Sequence, residues 1–330
     1  MSNGSITDVP GILVGHAQNL EALTGCTVII CKDGATGGVD QRGGAPGTRE
    51  TDALRPMHLV DKIHAIVLSG GSAFGLDAAS GVMKFLEENE CGFDTGFAKV
   101  PIVSSAVLFD LGIGDPNIRP DKNMGYEACL NANSNIIATG NVGAGTGATV
   151  GKIFGQTQSM KSGIGSASID LGNGIIVGAM MAVNALGDII DPSNGKILAG
   201  ARTIKKGPIN IGDEGYFANT MNVMKSFVGR KSIEFASNQN TMIGVVATNA
   251  KLTKDEINKV AQMAQDGIAN TVKPAHTMFD GDTIFAMATN KKRADVNIVG
   301  AFAAEAVSMA IIDGIKSTTP IYGIPSFNNL

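Results

Sequence analysis

The clearest rhythm of apolar and polar positions lies toward the C-terminal end. Met242–Thr248 is a run of small and β-branched residues that predicts a strand. Thr253-Lys254-Asp255-Glu256 then has the form of a capping box, in which the Thr hydroxyl and Glu carboxylate satisfy reciprocal backbone donors. Ile257, Val260, Met263, Ala264 and Ile268 follow at helical spacing, and Pro274 bars continuation. Thr283–Thr289 predicts a second strand and Asn297–Lys316 a second, strongly apolar helix. Strand, helix, strand, helix is a layered α/β pattern.

Upstream, Gly11–Val14 and Cys26–Cys31 are β-rich runs separated by a polar turn, and Arg42–Thr51 reads as an ordered glycine-rich loop. His64–Leu68 predicts a buried strand, Ser69-Gly70-Gly71 a turn, and Ser72–Asn89 a helix capped by Ser72, with Asp77 solvated. Ile136–Thr139 predicts another strand, and Gly174–Val183 a long apolar one ending at Asn184. Asp188–Ser237 lacks a clean period and predicts long loops. No repeat or domain boundary interrupts the chain, so residues 1–330 are expected to form one continuous body.

Apolar residues make up 44% of the chain and charged ones 17%, enough for a large core and against disorder. Aromatics are scarce and glycines number 43, which favours small side chains between closely approaching layers. A net charge of −4 without a basic stripe argues against nucleic acid. The first residues have no secretory pattern, and runs such as Gly174–Val183 fall short of a bilayer span, so a cytoplasmic location without a membrane partner is expected. Cys26, Cys31, Cys91 and Cys129 form no CxxC, and reduced thiols are the plain reading.

Several motifs fail on inspection. Gly143–Lys152 places Thr146 where a phosphate-binding loop needs its first Gly, and Ile153 where it needs Ser or Thr. As a dinucleotide fingerprint the same loop would open a helix containing Gly151 and Gly155, both poor helix residues. A glycine-rich wall beside an active site, with Lys152 as its strong charge, is the better reading. His16, His58, His64 and His276 have no zinc-ligand spacing and read mostly as structural, so neither metal nor cofactor is expected. Asn240–Asn249 and Phe279–Thr283 are, by composition alone, a loop leading into a strand and a turn.

Those two segments, with Thr7–Ile12, Val14-Gly15-His16, Gly25-Cys26-Thr27, Arg42–Thr51, Ser69–Gly75, Gly143–Gly147 and His276–Phe285, carry a resemblance over nearly the whole chain. The chain resembles the DmpA-type peptidases of family S58, which include L-aminopeptidase/D-esterases, β-peptidyl aminopeptidases and nylon-oligomer hydrolases. The resemblance implies an α-β-β-α-like sandwich, the fold shared with ornithine acetyltransferases. It also implies self-cleavage between Asn240 and Thr241, giving fragments 1–240 and 241–330. Thr241 would be the nucleophile, with Asp280 and Asp282 in the branch nearest the nylon-oligomer hydrolases. Asn184 would help form the oxyanion hole, and Lys152 would face the nucleophile. Where members often carry Tyr this chain has Phe109, so one hydroxyl contact to substrate is missing. The implied substrates are small peptides, amino-acid amides or ω-amino-acid oligomers, and the implied assembly is a homo-oligomer, a tetramer by resemblance. Acyl transfer as in ornithine acetyltransferases, which also cut before a Thr followed by Met, and a non-catalytic glycine-rich binding protein are the competing readings.

The chemistry is coherent with these residue types. A Thr hydroxyl is a weak nucleophile and needs a base within hydrogen-bond reach. Cleavage ahead of Thr241 would free an α-amine whose ordinary pKa of about 7.7–8.0 suits general base catalysis near neutrality. Asp280 and Asp282, two apart, share a face if their segment is extended. One could then hold the Thr241 ammonium while the other orients the first.

Overall fold

Most strands are covered on both faces, which is why they read in sequence as unbroken apolar runs. The computed structural model describes residues 4–135, 137–206, 209–211, 215–226 and 240–330. Nine strands form one mixed sheet: β1 (Leu13–Asn19), β2 (Thr24–Gln41), β3 (Thr48–Arg49), β4 (Lys62–Ser69), β5 (Val103–Val107), β6 (Ile164–Asp170), β7 (Ile176–Asn184), β8 (Thr241–Ala250) and β9 (Thr283–Lys292). Four principal helices cover it: α1 (Ala78–Glu88), α2 (Lys122–Leu130), α3 (Lys254–Thr271) and α4 (Val296–Lys316). The order is β6-β7-β8-β9-β2-β4-β5-β3, with β1 also paired to β2. Pairs β8–β9 and β4–β5 are parallel, and the others antiparallel. Parallel neighbours need a crossover. Helix α3 supplies one, and the helical stretch Ser72–Glu88 the other.

Strand β2 makes this sheet a two-layer stack. Its first half, Cys26–Ile30, pairs with β4, its second half, Thr36–Gln41, pairs with β9, and the register shifts between Ile30 and Ala35. Alternation along the strands then sorts the side chains into three cores. Val28, Ile30, Ala65 and Val67 pack with Val82 and Leu86 of α1 and Ala128 of α2. Ile29, Ile66 and Leu68 face the other way and meet Ile243, Val245, Phe285 and Met287 between the layers. Val177, Met181, Met242, Val246 and Ile284 point outward onto Ile257, Val260, Val307 and Ile311 of α3 and α4. The result is the expected α-β-β-α stack, its two β layers joined along β2. Small residues permit the close approach: a methyl on Gly165 would stand 2.1 Å from the Ala310 carbonyl oxygen of α4.

The capping box of α3 forms as its sequence predicts, with Thr253 N–H on Glu256 Oε2 at 2.8 Å and Glu256 N–H on Thr253 Oγ1 at 3.3 Å. Asp77 is exposed and accepts the Lys122 N–H. Other expectations need correction. Ser72 caps no helix: Gly71 holds that position, and Ser72, with φ at +53°, gives its own N–H to the Leu108 carbonyl. Residues 137–139 are irregular, with Gly140 bridging Ile164 beyond them, and Ile136 lies outside the described residues. Asp188–Ser226 is not all loop: it holds short strands at Asp188–Ile190, Ile197–Ala199, Ile204–Lys206 and Ile209–Ile211 and a helical turn at Thr220–Lys225, while 227–237 lies outside the described residues. Helix α4 is long and apolar enough to cross a bilayer, because isolated polar residues such as Glu305 interrupt its run without lowering its average. Half of that span is buried within the molecule.

Candidate active site

The beginning of β8 is held from both sides. Asn184, at the end of β7, stands opposite Thr241 in the antiparallel ladder, and Asn240 forms a parallel bridge with Asp280. The Gly281 N–H donates to the Asn240 carbonyl at 3.0 Å. The Thr241 hydroxyl donates to that same oxygen. Asn240 is 2% exposed and Thr241 5%. A buried carbonyl carrying a backbone donor is polarised toward attack, and here the next residue's hydroxyl already touches it.

The segment before β9 is a tight turn. The Thr277 N–H donates to Asp280 Oδ2 at 2.9 Å, the Thr277 hydroxyl joins the same oxygen, and the Asp280 N–H returns to the Thr277 carbonyl at 3.1 Å. Asp282 is buried. Its Oδ1 accepts the Met242 N–H at 2.8 Å, and its Oδ2 accepts the His276 N–H at 3.1 Å and His276 Nδ1 at 2.8 Å. The glycine-rich loop after β2 straps this turn down: Arg42, Gly44 and Ala45 N–H groups donate to the carbonyls of Asp282, Thr277 and Asp280 at 3.0, 3.0 and 2.9 Å. Only glycine fits at Gly43, where a methyl would stand 2.1 Å from the Asp280 carbonyl oxygen.

Lys152 and Asn184 form the opposite wall. Lys152 Nζ donates to the Asn184 side-chain oxygen at 2.7 Å and to its carbonyl at 3.1 Å. The Thr149 N–H reaches the same side-chain oxygen at 3.1 Å, so the Gly143–Lys152 segment lies against the end of β7, across the ladder from Thr241. The Asn184 amide, expected to point a donor at an oxyanion, gives one N–H to the Phe109 carbonyl at 3.1 Å. Phe109 thus enters the site through its backbone.

Burial pushes the Asp280 carboxyl up to about 6, aided by the Asp282 charge and opposed by the Thr277 donors. Burial pulls the Lys152 ammonium down to about 7, against the attraction of Asp280 and Asp110. Asp110 is itself pushed up to about 6 by burial, although the Gly71 N–H and Thr24 hydroxyl, each at 2.7 Å, stabilise its charge. Fully buried Lys161 is drawn down to about 7 by desolvation and donates to the carbonyls of Gly145, Ala148 and Ser162. Buried acids and bases shifted toward neutrality are the equipment of general acid–base catalysis.

The structure brings Thr241, Asn240, Asp280, Asp282, Asn184, Lys152 and Phe109 into one neighbourhood. Among the described contacts Asp282 reaches the start of β8 through the Met242 N–H, not through the Thr241 side chain. His276, expected to be structural, belongs to the site. So does the Gly281 N–H. A lone His six residues ahead of an Asp, and a main-chain donor in an Asp-Gly-Asp turn, have no signature in spacing or periodicity.

The fold has close counterparts among solved structures. The L-aminopeptidase D-Ala-esterase/amidase of Ochrobactrum anthropi, described as a variant of the N-terminal-nucleophile hydrolase fold, superposes with a TM-score of 0.71 at 18% identity, over 99% of this chain and 90% of that one. A β-aminopeptidase of Burkholderia sp. gives a TM-score of 0.66 at 22% identity, over 98% of this chain and 89% of the other. The fold is thus that of the N-terminal-nucleophile hydrolases of this type. Sequence carries the assignment further. An uncharacterized aminopeptidase of Mycobacterium bovis is 38% identical over 353 residues, covering 99% of this chain and 97% of its own length. The 6-aminohexanoate-oligomer endohydrolase of Kocuria sp. is 31% identical, over 94% of this chain and 85% of its own. The profile of peptidase family S58 matches residues 4–326, and the chain belongs to that family. It is a hydrolase of amide bonds.

Proposed function

We propose that the chain cuts itself between Asn240 and Thr241, and that Thr241, then an N-terminal residue, is the nucleophile of an aminopeptidase-type amide hydrolase. The observation that carries this reading is the Asn240 carbonyl, which accepts both the Gly281 N–H and the Thr241 hydroxyl in a buried site. In the first cut Thr241 Oγ bonds to the Asn240 carbonyl carbon. The C–N bond breaks, and the nitrogen leaves as an amine after gaining a proton. Water then hydrolyses the ester, leaving Asn240 as a carboxyl terminus and Thr241 with a free amine and its hydroxyl restored. Lys152 sits on Asn184, directly across the ladder from Thr241, and its lowered basicity suits it to take the hydroxyl proton before any α-amine exists. Afterwards the α-amine takes that role.

The substrates of this reading are linear amides beside a free amine: small peptides, amino-acid amides and ω-amino-acid oligomers. The Asp280–Asp282 pair supplies negative charge for a substrate ammonium. The 6-aminohexanoate-oligomer endohydrolases among the relatives support the oligomer branch. Denaturing electrophoresis and N-terminal sequencing test the cut. Two bands of about 24–25 and 9–10 kDa by chain length, the smaller beginning at Thr241, are expected. Thr241→Ala should leave one band and no hydrolysis. An active protein with a single unbroken chain overturns the proposal.

A further inference from the structure

We infer that His276 is a positioning residue: acting through Asp282, it holds the end of β8 on which Thr241 sits once the chain has been cut. The inference rests on the self-cleavage reading above. Before the cut Thr241 is tethered covalently on both sides. Afterwards it is a strand terminus, and ends of elements fray unless tied down. Beside its ladder place opposite Asn184, the start of β8 is tied by a side chain through the next residue, Met242 N–H to Asp282 Oδ1 at 2.8 Å. The value of that tie depends on where the Asp282 carboxylate is held.

His276 holds it. Its backbone N–H and its Nδ1 both converge on Asp282 Oδ2, at 3.1 and 2.8 Å. A carboxylate only accepts, so Nδ1 carries a hydrogen. The other ring nitrogen, Nε2, is buried and has no partner among the described residues, so the ring's described polar attachment is to Asp282. His276 adopts φ of +57°, in the left-handed region where His, like Asn and Asp, is enriched, and both of its donors reach the same oxygen from that conformation. Asp280 is held differently, its Oδ2 taking both the N–H and the hydroxyl of Thr277.

The test uses the full chain carrying His276→Ala or His276→Asn, with turnover normalised to the amount of N-terminal Thr241. For His276→Ala, self-cleavage is expected to proceed to completion while kcat falls about 10–100-fold and KM changes less than about threefold, the scale seen when a supporting hydrogen-bond partner is removed. His276→Asn tolerates the left-handed backbone and places an amide N–H near the position of Nδ1, so it is expected to recover much of kcat. An unchanged kcat in His276→Ala overturns the inference. So does a loss that His276→Asn fails to relieve although the variant is folded, or a block of self-cleavage in His276→Ala. None of these outcomes touches the proposed function, which falls only if the parent protein works uncut.

Discussion

Gly281→Ala is the sharpest test of the proposed first cut. Gly281 lies outside the left-handed region, so alanine is permitted there by its backbone angles. An added methyl, however, would stand 2.6 Å from the Ala45 carbonyl oxygen and 3.0 Å from Thr241 Oγ1. A carbon–oxygen contact settles at about 3.3 Å or more, so the Gly281 backbone must withdraw by about 0.7 Å. The hydrogen bond from its N–H to the Asn240 carbonyl, now 3.0 Å, would then exceed the length at which it counts as one. Losing one donor at a developing oxyanion costs about 2.7–4 kcal/mol, or about 10²–10³ in rate. The assay is a time course of processing of freshly translated precursor by denaturing electrophoresis and intact mass. Gly215→Ala serves as the control, since a methyl there meets no atom within 4 Å. A folded Gly281→Ala precursor that processes at the parent rate refutes the reasoning, because the scissile carbonyl would then not depend on that N–H.

Three further outcomes follow from the same structure. If Lys152 takes the first proton, the self-cleavage rate should rise about tenfold per pH unit below about 7 and level off above it; Lys152→Met should be slow at every pH, and a rate independent of pH between 5 and 8 in the parent would rule the role out. Asp110 holds its proton in the folded state up to about pH 6, whereas the unfolded chain releases it near 3.8, so its ionisation destabilises the fold as pH rises through that window. Asp110→Asn should therefore gain about 3 kcal/mol relative to the parent between pH 4 and 7 in urea unfolding, and parallel curves would show the carboxyl to be compensated. Thr253→Ala, which removes the hydroxyl half of the α3 capping box, should lower stability by about 1 kcal/mol in the same measurement without changing kcat.

Much of the fold was legible locally. The capping box at Thr253–Glu256, the helical spacing from Ile257 to Ile268 and the β-branched run at Met242–Thr248 each encode an element through contacts within a few residues, so the pattern alone specifies it. Thr241, Asp280, Asp282, Asn184 and Lys152 were singled out as candidates through resemblance. Composition alone read their segments as loop and turn. What the tertiary structure decided is everything that depends on chain segments far apart in sequence. The shift of β2 between two partners folds one sheet into two layers, a choice invisible in a strand whose both faces are apolar. Ser72 lost its expected cap because its N–H was claimed by Leu108, 36 positions away. The Gly281 N–H meets the Asn240 carbonyl, and Asp282 meets the Met242 N–H, only because β8 and β9 lie side by side in parallel across the α3 crossover. Main-chain donors have no side-chain signature, and a hydrogen bond across 40 residues has no period. A sequence can therefore mark a candidate residue while leaving unsaid what holds it.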